Sequence, residues 1–490
     1  MRRAILILLC GLMVSSCALA QEELFAWTFR LGGDGVMQPR DMALAAAGGV
    51  FIVGETDSEE GGLDSGYGLL DAFVLRVDAE GNLLWKNRYG GSGDDTFSHV
   101  LETFDGGCIA MGTSNSSDGN TRSPRGELDA FLIRISPEGE TLWAKNLGGS
   151  QDDELLDIVL TEEGMFLVCG RTKSRNGDLR ANNGEWDAWV ALLSAEDGRP
   201  VWVDRYGDQG NDKYTKIVLT ADGFLVIGEY GQLMATGDDK EPLYEGKPIA
   251  MLYGEDGSRI WSEPMVLGGN DMNQLLAVAE TDVGWLMVGE TDSRSALMPS
   301  ALGGTDIWAL FLRQSGTVQR QQRYGGSGDE RMHSVYSATS GRYIILGTTD
   351  SNDGNVVGNH GAQDVWVVCV SPAGVLEWQQ TLGGSANSIP AGLIHTRDGG
   401  YLVAGSTLAR DMDIGHHTSV RTGFLAKLFS NGNLLWVELV GGTEECSLLD
   451  IRASQEGAYV LGSISAYRNG VFVEDVFLAR LSEAYYLAEE

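Results

Sequence analysis

A glycine recurs eight times at nearly constant distance inside strand-like apolar runs: Gly54, Gly112, Gly170, Gly228, Gly289, Gly347, Gly405 and Gly462. The intervals are 58, 58, 58, 61, 58, 58 and 57 residues. A period of this length marks an array in which each unit is one supersecondary element that cannot bury its apolar face alone. The repeat runs from Leu24 to Leu481 with no Pro-rich, Ser-rich or charged linker. The chain therefore reads as one array, although its length alone would suggest about three domains.

The second unit shows what is repeated. Phe97 to Thr103 alternates toward a turn at Asp105-Gly106-Gly107, and Cys108 to Thr113 is a second apolar run. Asp129 to Ile135 reads as a third strand, and a turn at Pro137-Glu138-Gly139 leads to a fourth, Thr141 to Leu147, closed by Gly148-Gly149. Four short strands and two hairpin turns per repeat make a propeller blade. The closing glycine falls at Gly32, Gly90, Gly148, Gly207, Gly268, Gly325, Gly383 and Gly441. Five residues before it stands Trp27, Trp85, Trp143, Trp202, Trp378 or Trp436; the fifth place in that series has Trp261 two residues early, and the sixth has Arg320. An aromatic at a fixed strand position is expected to pack between successive sheets and not to form a ligand cage.

The ends do not match the repeat. The array opens with a lone fourth strand, Leu24 to Gly33, and finishes with a third strand, Asp475 to Leu481, followed by no Trp or Gly-Gly. Pairing the first strand into the last blade closes the ring and removes two open sheet edges. The expected fold is all-β, an eight-bladed β-propeller of four-stranded blades, occupying 21–490 as a single domain.

The first residues stand apart. Arg2 and Arg3 precede an apolar run from Ala4 to Val14, the signature of a secretory signal too short to span a bilayer as a mature helix. Two cleavage readings stay open: Ala18-Leu19-Ala20 before Gln21 gives a signal of 1–20, whereas Val14-Ser15-Ser16-Cys17 resembles a bacterial lipobox, giving a signal of 1–16 and a lipid on Cys17. Either way an extracytoplasmic location is expected: periplasm, outer-membrane lipoprotein or secreted. The net charge is −34, and −36 without Arg2 and Arg3. Such a field disfavours nucleic acid and anionic headgroups as partners. Cys108, Cys169, Cys369 and Cys446 fall at four different places in four repeats, so they read as small buried hydrophobes and not as a disulfide or metal framework.

In an antiparallel four-stranded blade the two hairpin turns emerge on one face, and the second-to-third loop and the crossing to the next blade emerge on the other. The hairpin turns are short and stereotyped, as in Thr161 to Gly164 and Thr220 to Gly223. The opposite face carries longer, variable segments such as Asp57 to Leu70, Ser114 to Leu128 and Asp350 to Gln363. Specificity is usually built on loops that vary over a rigid scaffold. The same face has acidic crossings: Asp94-Asp95, Asp152-Asp153, Asp329-Glu330 and Glu444-Glu445, with Asp212 and Asp271 between. Asp94, Asp95, Asp152, Asp153, Asp329 and Glu330 are the ligand-face candidates; their alternative is to cap the Gly-Gly turn by accepting backbone N–H bonds. The third strand opens with Asp71, Asp129, Asp187, Asp306, Asp364 or Asp475, regular enough to be a buttress and not a catalyst. Asp350, Asn352, Asp353 and Asn355 alternate like calcium donors, yet lack the twelve-residue spacing and terminal Glu of an EF-hand, and an Asx-rich turn explains them equally well. No HExxH, GxSxG or Walker pattern occurs. No catalytic residue and no cofactor is assigned, with Ca²⁺ as the one candidate ion.

The runs Tyr89 to Asp95, Asp105-Gly106-Gly107, Asp129-Ala130-Phe131 and Gly139 to Trp143 resemble the repeat of a large group of exported bacterial β-propeller proteins, and Tyr324 to Glu330 with Gly374 to Trp378 repeats the likeness. A looser similarity links Asp78 to Trp85 and Glu196 to Trp202 with quinoprotein-type eight-bladed propellers. The vicinal cysteines of many quinone dehydrogenases are absent here, which leaves the non-catalytic envelope scaffolds as the nearer comparison. The resemblance implies a non-catalytic, monomeric binding or scaffold protein recognising a protein or glycan through its variable-loop face. The alternative is an envelope enzyme, an oxidoreductase or hydrolase, with a metal in the central channel.

Overall fold

The computed structural model describes residues 24–486 apart from 60–65, 67, 121–125, 180–181, 236–242, 269–272, 295–299, 339–340, 412 and 414–419. Cys17, both cleavage sites, Asp271, His416 and His417 lie outside the described residues. Eight four-stranded antiparallel sheets form a ring: an eight-bladed β-propeller. Blade two is representative, with strands Asp95–Glu102, Cys108–Ser114, Asp129–Ile135 and Thr141–Leu147 from the axis outward. The third strand is buried along its whole length in this blade. Sheets packed on both of its faces explain why the sequence there is continuously apolar and does not alternate.

Blade eight is made from both ends of the chain. Phe25–Leu31 pairs antiparallel with Val471–Leu481, with Thr28 opposite Ala479 and Arg30 opposite Phe477. Ser482 N donates to Leu24 O at 2.9 Å, continuing the ladder by one bond. Arg30 then ties the closing strand to its own blade and to the crossing that enters it, donating through Nε to Asp475 (2.6 Å) and through both terminal nitrogens to Glu444 (2.6 and 3.1 Å).

The recurring indole is the seam between blades. Trp85 Nε1 donates to Pro137 O of the next blade at 2.8 Å, and its ring lies against Gly139, whose φ is +89°. A Cβ at Gly139 would stand 2.8 Å from Trp85 Cγ. Trp27 and Trp143 donate in the same way to Ala79 O (2.8 Å) and Ala195 O (3.0 Å). Arg320, the exception in sequence, does the indole's work: its guanidinium donates to Ala373 O and lies over Phe311, 5.6 Å from the ring centre. Trp261 sits before a fourth strand shortened to Met265–Val266, yet it still packs on Trp285 at 5.9 Å and beneath Gly316. Trp436 has no third-to-fourth hairpin to meet, because the chain breaks there between its two ends. A short helix, Glu483–Tyr486, supplies Tyr485 instead, at 5.5 Å.

The periodic glycine has a different cause. Each one pairs with the inner strand just before a register shift: Gly54 with Pro39, Gly112 with Phe97, Gly170 with Leu155, Gly228 with Tyr214. At Gly112 a Cβ would lie 1.9 Å from Thr96 O, and at Gly170 1.9 Å from Glu154 O. The glycine admits a β-bulge that swings the inner strand's backbone onto it, and a bulge re-aims the side chain beside it. The repeat that announces the fold is thus the imprint of eight bulges around the axis.

Candidate functional site

On the crossing face the second acid of three of the four pairs is built into the scaffold, while in the fourth Glu445 is exposed and Glu444 is the acid held, by Arg30. Asp95, Asp153 and Glu330 are the first residues of their inner strands, one step inside the crossing to which the sequence assigns them, and all three are fully buried. Asp95 accepts Gly91 N–H (2.9 Å) and the Ser116 hydroxyl (2.6 Å). Asp153 accepts Gly149 N–H (2.7 Å) and the hydroxyls of Ser174 (2.7 Å) and Thr172, and Glu330 accepts Gly326 N–H (2.9 Å) and the Thr349 hydroxyl (2.6 Å). Burial pushes all three carboxyls above their ordinary pKa, with these donors pulling the other way. Asp212 holds the same place, accepting Gly231 N–H (2.8 Å) and Asp208 N–H (3.1 Å), and burial carries it to about 7.

The first acids stay nearer the surface. Asp152 pairs with Lys173 at 2.9 Å, Asp329 accepts Thr305 N–H at 2.8 Å, and the backbone N–H of Asp94 donates to Asn115 at 2.6 Å. That last bond belongs to a general device. In blade six Asp350, Ser351, Asp353 and Asn355 accept the backbone N–H groups of Asp329 (2.5 Å), Gly328 (2.8 Å), Ser327 (2.6 Å) and Gly325 (3.2 Å). In blade two Asn115, Ser116, Asp118 and Asn120 do the same for Asp94 (2.6 Å), Gly93 (2.9 Å), Ser92 (2.6 Å) and Gly90 (2.7 Å). Asn352 instead donates to Asn359 O at 3.2 Å. The calcium-like oxygens thus face a row of amide hydrogens, an electropositive lining that suits acceptors and repels a cation. Among the described residues no group of three or more His, Cys, Asp or Glu is placed to hold a metal ion.

The third-strand aspartates have buttressing partners, loop amides as expected for two of them and arginines, which the sequence did not suggest, for others. Arg88, 2% exposed, donates to Asp71 at 2.7 Å and to Ser58 O at 2.6 Å; Arg323 meets Asp306 at 3.1 Å. Asp187 and Asp364 accept loop amides, Asn183 N–H at 3.0 Å and His360 N–H at 2.9 Å.

A second constellation lies on the axis, and the sequence did not single it out. The residue after each bulge stands 12 or 13 positions before the periodic glycine. Blades eight, one, two, three and four place Asp450, Asp41, His99, Asp157 and Lys216 there. Asp41 accepts Val100 N–H of the next blade (3.0 Å) and Met42 N–H (2.9 Å). Asp157 accepts Ile217 N–H of the next blade (2.8 Å) and Lys216 Nζ (2.9 Å). Asp450 accepts Ile451 N–H (2.8 Å) and Arg452 Nε (2.7 Å), and Arg452 reaches across to Asp41 at 3.5 Å. Burial raises the Asp450 carboxyl to about 6 and lowers His99, which Asp157 partly counteracts. The signal was available: aligning the repeats on their glycines puts Asp41, His99 and Asp157 in one column and Lys216 and Asp450 in the next.

No family model matches the chain. Among characterised proteins it is similar to the regulatory protein FlaEY of Caulobacter vibrioides, 24% identical over 357 residues, covering 64% of this chain and 36% of that protein. The chain thus spans about a third of that relative's length. Of solved structures, a PL25 ulvan lyase superposes with a TM-score of 0.45 at 8% identity over 93% of this chain and 95% of that one. Kuenenia stuttgartiensis hydrazine synthase gives 0.40 at 10% identity, covering 77% and 94%. A Synechocystis apocarotenoid oxygenase variant gives 0.37 at 9%, covering 76% and 87%. At these scores the fold assignment rests on the strand topology itself, and no activity transfers. Among the described residues no helix is long and apolar enough to cross a membrane.

Proposed function

We propose that this chain is a non-catalytic, extracytoplasmic binding or scaffold propeller that recognises a protein or a glycan through the face bearing its crossings and second-to-third loops. The observation that carries the reading is the contrast between the two faces. Hairpin turns are short throughout: many close as Gly106 N–H does on Thr103 O (2.8 Å), Gly139 on Ser136 (3.0 Å) and Gly164 on Thr161 (2.9 Å), and blades four, five and eight use still tighter first turns with Thr220 paired to Gly223, Thr281 to Gly284 and Ser454 to Gly457. On the other face the crossings are pinned by the amide latch while what projects beyond them differs by blade. In blade four the second and third strands lengthen to Gly223–Ala235 and Leu243–Tyr253. In blade eight Gly457–Arg468 and Val471–Leu481 run to a tight turn at Asn469-Gly470, with φ of +52° and +84°. That hairpin presents Tyr467, 77% exposed, beside Phe472, 43% exposed, their rings 5.7 Å apart. Exposed aromatics on a pinned loop are what a recognition surface needs.

Similarity to a protein named as a regulator agrees with a role exercised by binding. Export rests on the charged and apolar leader, with Cys17 or Gln21 as the mature terminus. The enzymatic alternative needs a metal in the channel, where each carboxylate already accepts a backbone N–H and touches a cation. The test is a glycan array and a crosslinking pull-down from envelope fractions, each run with the native chain and with Tyr467→Ser/Phe472→Ser. The reading requires a discrete ligand set that the double variant loses while its melting temperature holds; a ligand set indifferent to the variant would refute it.

A further inference from the structure

The hairpin face is not eightfold in its chemistry. Three residues beyond the partner of the periodic glycine, the third strand carries Arg76, Arg134, Lys427 and Arg480 in blades one, two, seven and eight. Blades three to six carry Leu192, Leu252, Phe311 and Cys369 there instead. The cations serve the first hairpin turn of their own blade. Arg76 donates to Gly48 O at 2.6 Å, Arg134 to the Asp105 carboxylate at 2.5 Å and Lys427 to the Asp398 carboxylate at 2.7 Å, and all three are buried. Glycine leaves them room: a Cβ at Gly107 would stand 2.8 Å from Arg134 Nη1, and one at Gly400 2.9 Å from Lys427 Nζ.

Blade three keeps the acid and drops the cation. Its turn Thr161–Gly164 closes as Thr103–Gly106 and Thr396–Gly399 do, glycine N–H on threonine O, so Glu163 stands where Asp105 and Asp398 stand. Met165 takes the place of Gly107 and Leu192 that of Arg134. Glu163, Met165 and Leu192 line one cavity of about 150 Å³ between blades three and four, with Glu255 also on its wall. A second cavity of about 290 Å³ lies between blades four and five, sharing Thr220 and Ala221 with the first. There Leu252 holds the cation's place, beside Asp222 and Glu280. Neither cavity is lined by a lysine or arginine, and among the described residues none of Glu163, Asp222, Glu255 and Glu280 is in an ion pair. Small-molecule sites begin at about 300 Å³, so each cavity suits a single side chain. An apolar wall that ends in a carboxylate matches a long aliphatic stem with a cationic head. Blades two and seven make that match from within the chain.

We propose that the hairpin face of blades three to five docks a protein segment through its arginine or lysine side chains, with Glu163 and Glu280 as the carboxylates that receive them. This surface lies on the opposite face from the aromatic hairpin and stands or falls independently of the loop-face reading. The probe is an acetylated, amidated peptide, Leu-Arg-Gly-Gly-Arg-Leu, titrated calorimetrically into the full chain beside the same peptide with glutamine for arginine. Salt at about 0.15 M cuts the Debye length to about 8 Å, so the net charge of −34 does not by itself hold the peptide. Saturable binding of the arginine peptide alone is expected. Glu163→Gln/Glu280→Gln should weaken it at least about 10-fold, the low end for a lost charge-assisted hydrogen bond. Glu80→Gln/Glu140→Gln, at exposed turns of blades one and two, should leave it within about 2-fold. Met165→Gly/Leu192→Arg rebuilds in blade three the arrangement of Gly107 and Arg134 and should displace the peptide from within; if that variant does not fold, the glutamine variants decide. No saturable binding by the native chain up to about 1 mM peptide, where millimolar affinity half-fills a site, overturns the proposal. So does equal binding of the glutamine peptide, equal loss in the two glutamine variants, or undiminished binding by a folded Met165→Gly/Leu192→Arg.

Discussion

Replacing Arg88 by Met tests the buttress reading quantitatively. Arg88 and Asp71 are 2% and 0% exposed and 2.7 Å apart, and the guanidinium also feeds Ser58 O at 2.6 Å. Removing one member of a buried pair leaves the other charge without its counter-ion, at a cost of about 3–5 kcal/mol. The ring spans about 460 residues, and unfolding entropy near 2.1 cal/mol/K per residue gives about 1 kcal/mol/K for cooperative melting. The melting temperature should therefore fall by about 3–5 °C, measured by scanning calorimetry. Two comparisons isolate the cause. Asp71→Leu/Arg88→Met removes both charges and should recover most of the loss. Arg199→Met, which breaks the exposed pair with Asp197 (side chains 78% and 45% exposed), should move the transition by less than about 1 °C. An unchanged Arg88→Met, or a double variant that loses the sum of its parts, would refute the reasoning for Asp71 and for the equivalent Asp306–Arg323 pair.

Other perturbations follow from the same geometry. Gly139→Ala meets both a positive φ and the Trp85 ring, whereas Gly399→Ala meets a positive φ (+82°) with nothing within 4 Å; chemical denaturation should find the first about 1–2 kcal/mol worse than the second, the added cost of overpacking. Asp212, raised to about 7, binds a proton in the folded state that the unfolded chain releases near pH 4. Its contribution to stability is complete below about pH 4 and is lost as pH rises through about 7, so Asp212→Asn should flatten the decline of melting temperature across that window. Millimolar calcium against chelator should leave the melting temperature unchanged, since Asp350, Asp353 and Asn355 face amide hydrogens; a saturable rise would restore the calcium reading.

How much of this was legible depends on whether a feature is local or relational. The blade, its strand order and the closure follow from a period, a fixed indole and two mismatched ends, all visible along one dimension. The charged channel was hidden because a bulge exists only between two strands: Asp41, His99 and Asp157 look like ordinary inner-strand residues until Gly54, Gly112 and Gly170 are seen opposite a register shift. The role of Asp350 to Asn355 was hidden in another way, since alternating oxygens serve equally a cation and a row of N–H groups, and that row exists only in the folded crossing. Arg320 shows that a slot can outlive its residue type: its link to Ala373 O replaces an indole N–H with no resemblance in composition.

The ring is closed only because the chain's two ends share one blade. Thr28→Cys/Ala479→Cys places two thiols at directly paired positions, while Cys108, Cys169, Cys369 and Cys446 are buried and unpaired. After mild oxidation, peptide mass spectrometry should find an intramolecular link between the segments around Phe25 and Phe477, in monomers that melt higher than the reduced form. Thiols that remain free, or links that form only between molecules, would contradict the closed ring and the two faces argued from it.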